Sequence, residues 1–149
     1  RLSEVDWVVS NDIASGLCQD ESILRMVPLV FEALSDGRQV SCEDFIARYP
    51  VVNAVAGIGN PARFALTLQS MGLSTVLVGL RDHHRYQGDE LLFDNEWPVV
   101  CTEKDGIKIK QLKDIPNNCW QLRTDAELDS GAVAKLTECL AAHGIVQHG

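Results

Sequence analysis

No stretch of this sequence stays apolar for long. Its longest apolar runs, such as MVPLVF, fall far short of the roughly 20 residues a membrane span needs, and the first residues lack the charged and apolar regions of a signal peptide. Basic residues are in the minority: 13 Lys and Arg stand against 21 Asp and Glu, a formal net charge of -8. A field of that sign repels polyanions, which argues against nucleic acid as a partner and against a nonspecific grip on anionic lipid. The five cysteines, Cys18, Cys42, Cys101, Cys119 and Cys139, include no CxxC pair and no zinc-ribbon spacing. An odd number without pairs fits reduced, partly buried thiols in a cytosolic protein. Internal repeats and low-complexity linkers are absent as well.

What is present is a core. With 46% hydrophobic residues over 149 positions, the chain is long enough for one globular domain with appended linker segments. VDWVVSND (5–12) reads as a buried strand ended by turn formers. LRMVPLVFEAL (24–34) is apolar but interrupted by Pro28, which demotes it to an edge strand or linker ribbon. SCEDFIARY (41–49), with Ser41 as N-cap, acidic residues in the first turn and Pro50 beyond, predicts a short helix. A regular alternation then begins: a strand over 51–56, a helix from Pro61 to Met71 closed by Gly72, and a strand over 74–80. A short helix over 88–93 and a strand over 98–101 follow, then a polar turn and a Lys-rich amphipathic segment over 102–114. A strand over 119–123 and a helix over 130–144 complete the order. Strands apolar on both faces that alternate with helices predict an α/β fold, a mostly parallel sheet with helices on both faces, preceded by a short linker ribbon.

In such sheets, ligands sit beyond the carboxyl ends of the strands, and three motifs fall there. The first is Gly57-Ile58-Gly59-Asn60-Pro61. A glycine turn lets backbone N–H groups face an anion, yet the motif lacks the Lys-Ser/Thr of a P-loop and has Ala62 where GxGxxG has its third glycine. In the plainer reading, Gly57 and Gly59 supply unusual backbone angles, Asn60 caps and Pro61 takes the first helical position. The second motif, Asp82-His83-His84, sets a carboxylate beside two imidazoles that can act as acid, base or orienting partner near neutral pH. Neighbouring side chains on an extended segment point to opposite sides, so His83 and His84 do not easily share a metal. No metal site is expected. The third, Thr102-Glu103-Lys104-Asp105, reads equally as a capping turn or a functional one, with Lys104 as the member able to reach a phosphate. Lys108, Lys110 and Lys113 read as a solvated face.

AVAGIGNPARF, DHHRY and PVVCTEKDGIKI, in that order and on those strand ends, resemble the C-terminal half of tetraacyldisaccharide 4'-kinase, the lipid A kinase of Gram-negative bacteria. RLSEVDWVVSND is similar to that family's segment at the end of its nucleotide domain. The resemblance implies transfer of the γ-phosphoryl group of ATP, with Mg2+, to the 4'-hydroxyl of an acylated glucosamine disaccharide 1-phosphate at the inner face of the cytoplasmic membrane. It also implies two α/β sandwiches joined by a two-stranded ribbon, with the active site in the cleft between them. On that scheme residues 1–23 end the N-terminal nucleotide-binding domain, 24–40 form the ribbon and 41–149 the C-terminal domain. His83 matches the family's catalytic histidine, with Asp82 beside it. Gly57, Gly59, Asn60, Thr102 and Lys104 are placed near the cleft or the phosphates, and GIGNP becomes a backbone joint forming one wall. The chain begins with Arg1, and the family's Walker A loop and its catalytic aspartate lie upstream of the matching part. The expectation is a soluble C-terminal fragment, inactive alone, whose peripheral membrane contact lies in the missing part. Two departures stand out: Arg81 where the family often has proline, and Gly106-Ile107 where it usually has Ala-Val. Gly106 is expected to loosen the helix start. Two other readings remain open: a DHH-type metal phosphoesterase and a noncatalytic α/β binding domain.

Overall fold

The computed structural model describes residues 8–11 and 21–142. Residues 5–7 and 12 of the first expected strand and 143–144 of the last expected helix lie outside them. The chain divides into two compact units, Arg1–Val27 with Asp125–Gly149, and Pro28–Thr124.

In the first unit, β1 (Val8–Asn11) runs parallel to the start of β2 (Glu21–Ala33), pairing Val8 with Glu21 through Asn11 with Leu24. The last helix, α4 (Ser130–Ala142), belongs here too. Asp129 accepts hydrogen bonds from the Gly131 and Ala132 N–H groups at its start and from Ile23 of β2. Those three bonds, opposed by a little burial, hold its carboxyl below the usual range.

Pro28 does not interrupt β2, which continues for 13 residues. The reason is positional. Pairing with β1 ends at Leu24 and pairing with the antiparallel β3 (Gln39–Ser41) begins at Val30, so the residue without an N–H falls between the two partners.

The second unit is built on strands ordered β3-β2-β7-β6-β4-β5, where β4 is Val51–Ala56, β5 Ser74–Gly79, β6 Val99–Thr102 and β7 Cys119–Leu128. The pairs β4–β5, β4–β6 and β6–β7 are parallel. Alternate residues of these strands feed two cores. Val52, Ala54, Val100, Trp120 and Leu122 pack with Phe45 of α1 (Cys42–Arg48) and with Phe64 and Leu68 of α2 (Pro61–Ser70). Val55, Val99, Cys101 and Cys119 face the other way, toward Tyr86, Leu91 and Ile109 of α3 (Glu103–Ile109). The fold is therefore the expected α/β sandwich, with helices on both faces of a mostly parallel sheet. Burial pushes the Cys119 thiol up to about 12 and Cys101 well above its ordinary range, so both stay protonated.

Each helix starts where the sequence caps it. Ser41 accepts from the Asp44 N–H at 3.1 Å, Asn60 from Arg63 at 3.1 Å and Thr102 from Asp105 at 3.2 Å. Gly72, at φ +101°, turns the chain out of α2. The expected helix over 88–93 is a single 3-10 turn, Asp89–Leu91, and β7 runs five residues beyond its expected end. TEKD is not a turn ahead of an amphipathic segment, because α3 begins at Glu103 itself.

Candidate functional site

Three parallel strands, β4, β5 and β6, deliver the three motifs at their carboxyl ends. The second motif folds as a turn rather than an extended segment, closed by the His84 N–H on the Arg81 carbonyl at 3.0 Å. His83 occupies this turn with φ +59°, a left-handed conformation uncommon for any residue but Gly, in which His is, with Asn and Asp, among the enriched exceptions. Asp82 Oδ1 accepts the His83 N–H at 3.0 Å and so supports that backbone, while Asp82 Oδ2 lies 3.8 Å from His83 Nε2. The His83 side chain is 91% exposed.

His84 goes the other way. Its ring meets Glu90 at 2.5 Å and stands edge-on to Tyr86 with centroids 5.2 Å apart. Burial pulls the Glu90 carboxyl up, but the His84 bond and the backbone N–H groups around residues 87–90 outweigh it, leaving a value of about 2. A carboxyl depressed from its ordinary 4.5 stabilises the fold above 4.5, and that contribution fades as pH falls toward 2. Glu90→Gln should therefore flatten the fall in Tm between about pH 4.5 and 2, read by thermal unfolding across pH. An unchanged slope would mean that Glu90 is not held by His84.

Gly57 and Gly59 do not adopt the unusual angles expected of them; positive φ among the described glycines occurs at Gly37, Gly72 and Gly88. At Gly57 the constraint is space. A Cβ there would lie 3.1 Å from Asp105 Oδ1, 3.2 Å from His84 Cβ and 3.3 Å from the Tyr86 hydroxyl. At Gly59 a Cβ would meet only Asp82 Oδ2, at an ordinary 3.8 Å. Gly106 is likewise a packing residue. A Cβ would overlap Gln121 Oε1 and stand 3.1 Å from its Cδ, so the glycine lets α3 sit close on β7.

Asp105 is the centre that the sequence reading passed over. It is 0% exposed, and its Oδ2 accepts from the Gly57 N–H at 3.2 Å and from the Thr102 hydroxyl at 2.8 Å. Its Oδ1 and the Tyr86 hydroxyl are buried without a hydrogen-bond partner. Burial, together with the neighbouring Asp105 carboxylate, drives the Tyr86 phenol far above its ordinary range. Lys108, read as part of a solvated face, approaches Asp105 Oδ1 at 3.6 Å, and Lys110 bonds Glu32 at 2.7 Å; Lys113 is exposed. Glu32 also accepts from Gln121 and Gln39, and the Lys110 bond leads in holding its carboxyl below the usual range. The Thr-x-x-Asp spacing was a legible sign of a capping box, but nothing local marked Asp105 as buried. A cleft of about 470 Å³ opens beside these groups, lined by His83, His84, Arg85, Tyr86, Lys108, Gln111 and Leu112. Thus Gly57, Thr102 and the His83 turn converge around Asp105, Gly59 stands next to Asp82, Asn60 caps α2, and Lys104 is exposed on α3.

A family model described as tetraacyldisaccharide-1-P 4'-kinase matches residues 1–141. The chain belongs to this family. Among its tetraacyldisaccharide 4'-kinase relatives, that of Alcanivorax borkumensis is 36% identical over 93% of this chain and 41% of the relative. That of Ruthia magnifica is 32% identical over 91% of this chain and 41% of the relative. That of Alkalilimnicola ehrlichii is 35% identical over 95% and 41%. The chain thus spans about two fifths of the length of these tetraacyldisaccharide 4'-kinases. A crystal structure of the "apo" form of LpxK from Aquifex aeolicus in complex with ATP shares the fold, with a TM-score of 0.55 at 18% identity over 84% of this chain and 36% of that one.

Proposed function

We propose that this chain is the C-terminal part of an ATP-dependent kinase that phosphorylates the 4'-hydroxyl of a tetraacyldisaccharide 1-phosphate in lipid A biosynthesis. The observation that carries the reading is the family match over residues 1–141, on a chain whose three strand-end motifs converge on one site. Residues 1–23 are read as the end of a nucleotide-binding domain, 24–40, which hold most of β2 and the start of β3, as the ribbon, and 41–149 as the C-terminal domain.

Phosphoryl transfer needs little covalent help from protein; its barrier falls mostly by positioning and by stabilising charge. An exposed imidazole held in a strained turn suits that task. His83, supported by Asp82, is read as the catalytic histidine, orienting a carboxylate base contributed from outside this chain or tuning its proton affinity. Gly57, Gly59, Asn60 and Thr102 build the wall behind it, and Lys104 is free to meet a phosphate. Among the described residues no three His, Cys, Asp or Glu side chains converge to hold a metal, so the ligands of Mg2+ are assigned to the nucleotide and the rest of the protein. The same observation weighs against a DHH-type phosphoesterase, as does the divergence of His83 and His84. Among the described residues no helix is long and apolar enough to cross a membrane, and peripheral attachment to the cytoplasmic side of the inner membrane is assigned to the part upstream.

The test is transfer from labelled ATP to tetraacyldisaccharide 1-phosphate by the protein from the complete gene, its His83→Ala variant, and this 149-residue chain alone. Transfer by the complete protein, a loss of about 2 kcal/mol or more of transition-state stabilisation in the variant, and none by the short chain are expected. Full turnover by His83→Ala would favour a noncatalytic role for this part.

A further inference from the structure

The two oxygens of Asp105 face different elements. Oδ2 receives the Gly57 N–H, where β4 ends, and the Thr102 hydroxyl, where β6 ends. Oδ1 and the Tyr86 hydroxyl both lie against Gly57, at 3.1 and 3.3 Å from the position a Cβ would take. His84 Cβ is 3.2 Å from the same position, and its ring stands edge-on to Tyr86. His84 in turn closes the turn that holds His83 at φ +59°. One buried carboxylate therefore bonds the ends of β4 and β6, and the loop after β5 packs, through His84 and Tyr86, against the same Gly57.

A joint selected for stability alone has little use for this arrangement. A carboxylate with no exposed surface, whose Oδ1 has Lys108 Nζ only at 3.6 Å beside it, carries a desolvation penalty that an apolar group of similar shape avoids. Such costs persist where the geometry they fix is itself needed. We propose that Asp105 is a positioning residue of the phosphoryl-transfer site, fixing through Gly57 and Tyr86 the turn that presents His83. The proposal rests on the reading of His83 as the catalytic histidine.

The experiment uses the complete protein with ATP and tetraacyldisaccharide 1-phosphate, and compares Asp105→Ala, Asp105→Asn, Tyr86→Phe, His83→Ala and the double variant of Asp105→Ala with His83→Ala. Asp105→Ala should lower kcat at least about tenfold while KM for ATP stays within about twofold. Asp105→Asn, which keeps an oxygen to accept from Gly57 and Thr102, should recover most of that loss. In the His83→Ala background, Asp105→Ala should cost less than about twofold, because the group it places is gone. Tyr86→Phe keeps the ring and guards against an Asp105 variant that fails to fold; kcat should fall about fivefold with Tm unchanged or raised.

Losses that simply add, or a lowered Tm with unchanged kcat, would make Asp105 a structural residue and overturn the proposal. So would wild-type kcat in Tyr86→Phe. Full activity in Asp105→Ala beside an inactive His83→Ala defeats this proposal alone, whereas full activity in His83→Ala defeats the functional reading and the proposal with it.

Discussion

Gly57→Val should destabilise the protein by about 3–5 kcal/mol and abolish turnover, while Gly59→Ala, two residues on, should change stability by no more than about 0.5 kcal/mol. The two glycines belong to one motif and look equivalent in the sequence. Around Gly57 three atoms from three residues already stand within 3.3 Å of where one added carbon would go, and valine adds three. Overpacking of a site that cannot give costs about 1–3 kcal/mol, and displacement of the Gly57 N–H from Asp105 adds about 1.5–3 more. Gly59 has ordinary room and a φ outside the left-handed region, so alanine fits. Urea unfolding of the complete protein, with kinase turnover measured beside it, separates the two. Equal effects at both positions would mean that GIG acts as a flexible hinge, and the close packing described here would be wrong.

Phe45→Ala should cost about 3–5 kcal/mol, the loss typical of a large aromatic removed from a core that relaxes only partly. Phe45 has no exposed surface. Its ring stacks on Phe31 at a centroid distance of 3.8 Å and 14° between planes, and it meets Trp120 edge-on at 5.2 Å. It is the point at which α1 locks onto β2 and β7. Phe45→Leu should cost much less, since most of the volume is retained. Denaturant titration at constant m-value checks both. A loss below about 1 kcal/mol for alanine would show that α1 is a peripheral cover and that the aromatic cluster contributes little.

The regular part of the fold was legible because its signals were local. Ser41, Asn60, Thr102 and Pro61 stand at the helix starts they announce, and the doubly apolar strands sit between two helical layers as that composition requires. The misreadings arose where the deciding partner is far away in sequence. Pro28 looked like a reason to demote its segment to an edge strand or ribbon, because the gap in pairing along β2 that accommodates it is a tertiary fact. Gly106 gave no sign of its packing role, which appears only once Gln121 is placed against it. Lys108 and Lys110 looked solvated, yet each meets a carboxylate, one of them 78 residues earlier in the chain. In the site, the strand-end motifs were visible and their hub was not. Asp105 has the sequence appearance of any acidic residue in a first helical turn, and only Gly57, 48 residues before it, and Tyr86 reveal its place.

Thr102 is both the last residue of β6 and the cap of α3, so strand and helix join with no residue between them. A chain that drifts over evolutionary time by gaining and losing residues has no slack there. One residue added or removed between Val99 and Asp105 would exchange the inward faces of β6, sending Val100 where Cys101 belongs, and would carry the carboxylate a third of a helical turn away from Gly57. Insertions and deletions in this protein should therefore spare the seven residues from Val99 to Asp105, a ruler of fixed length.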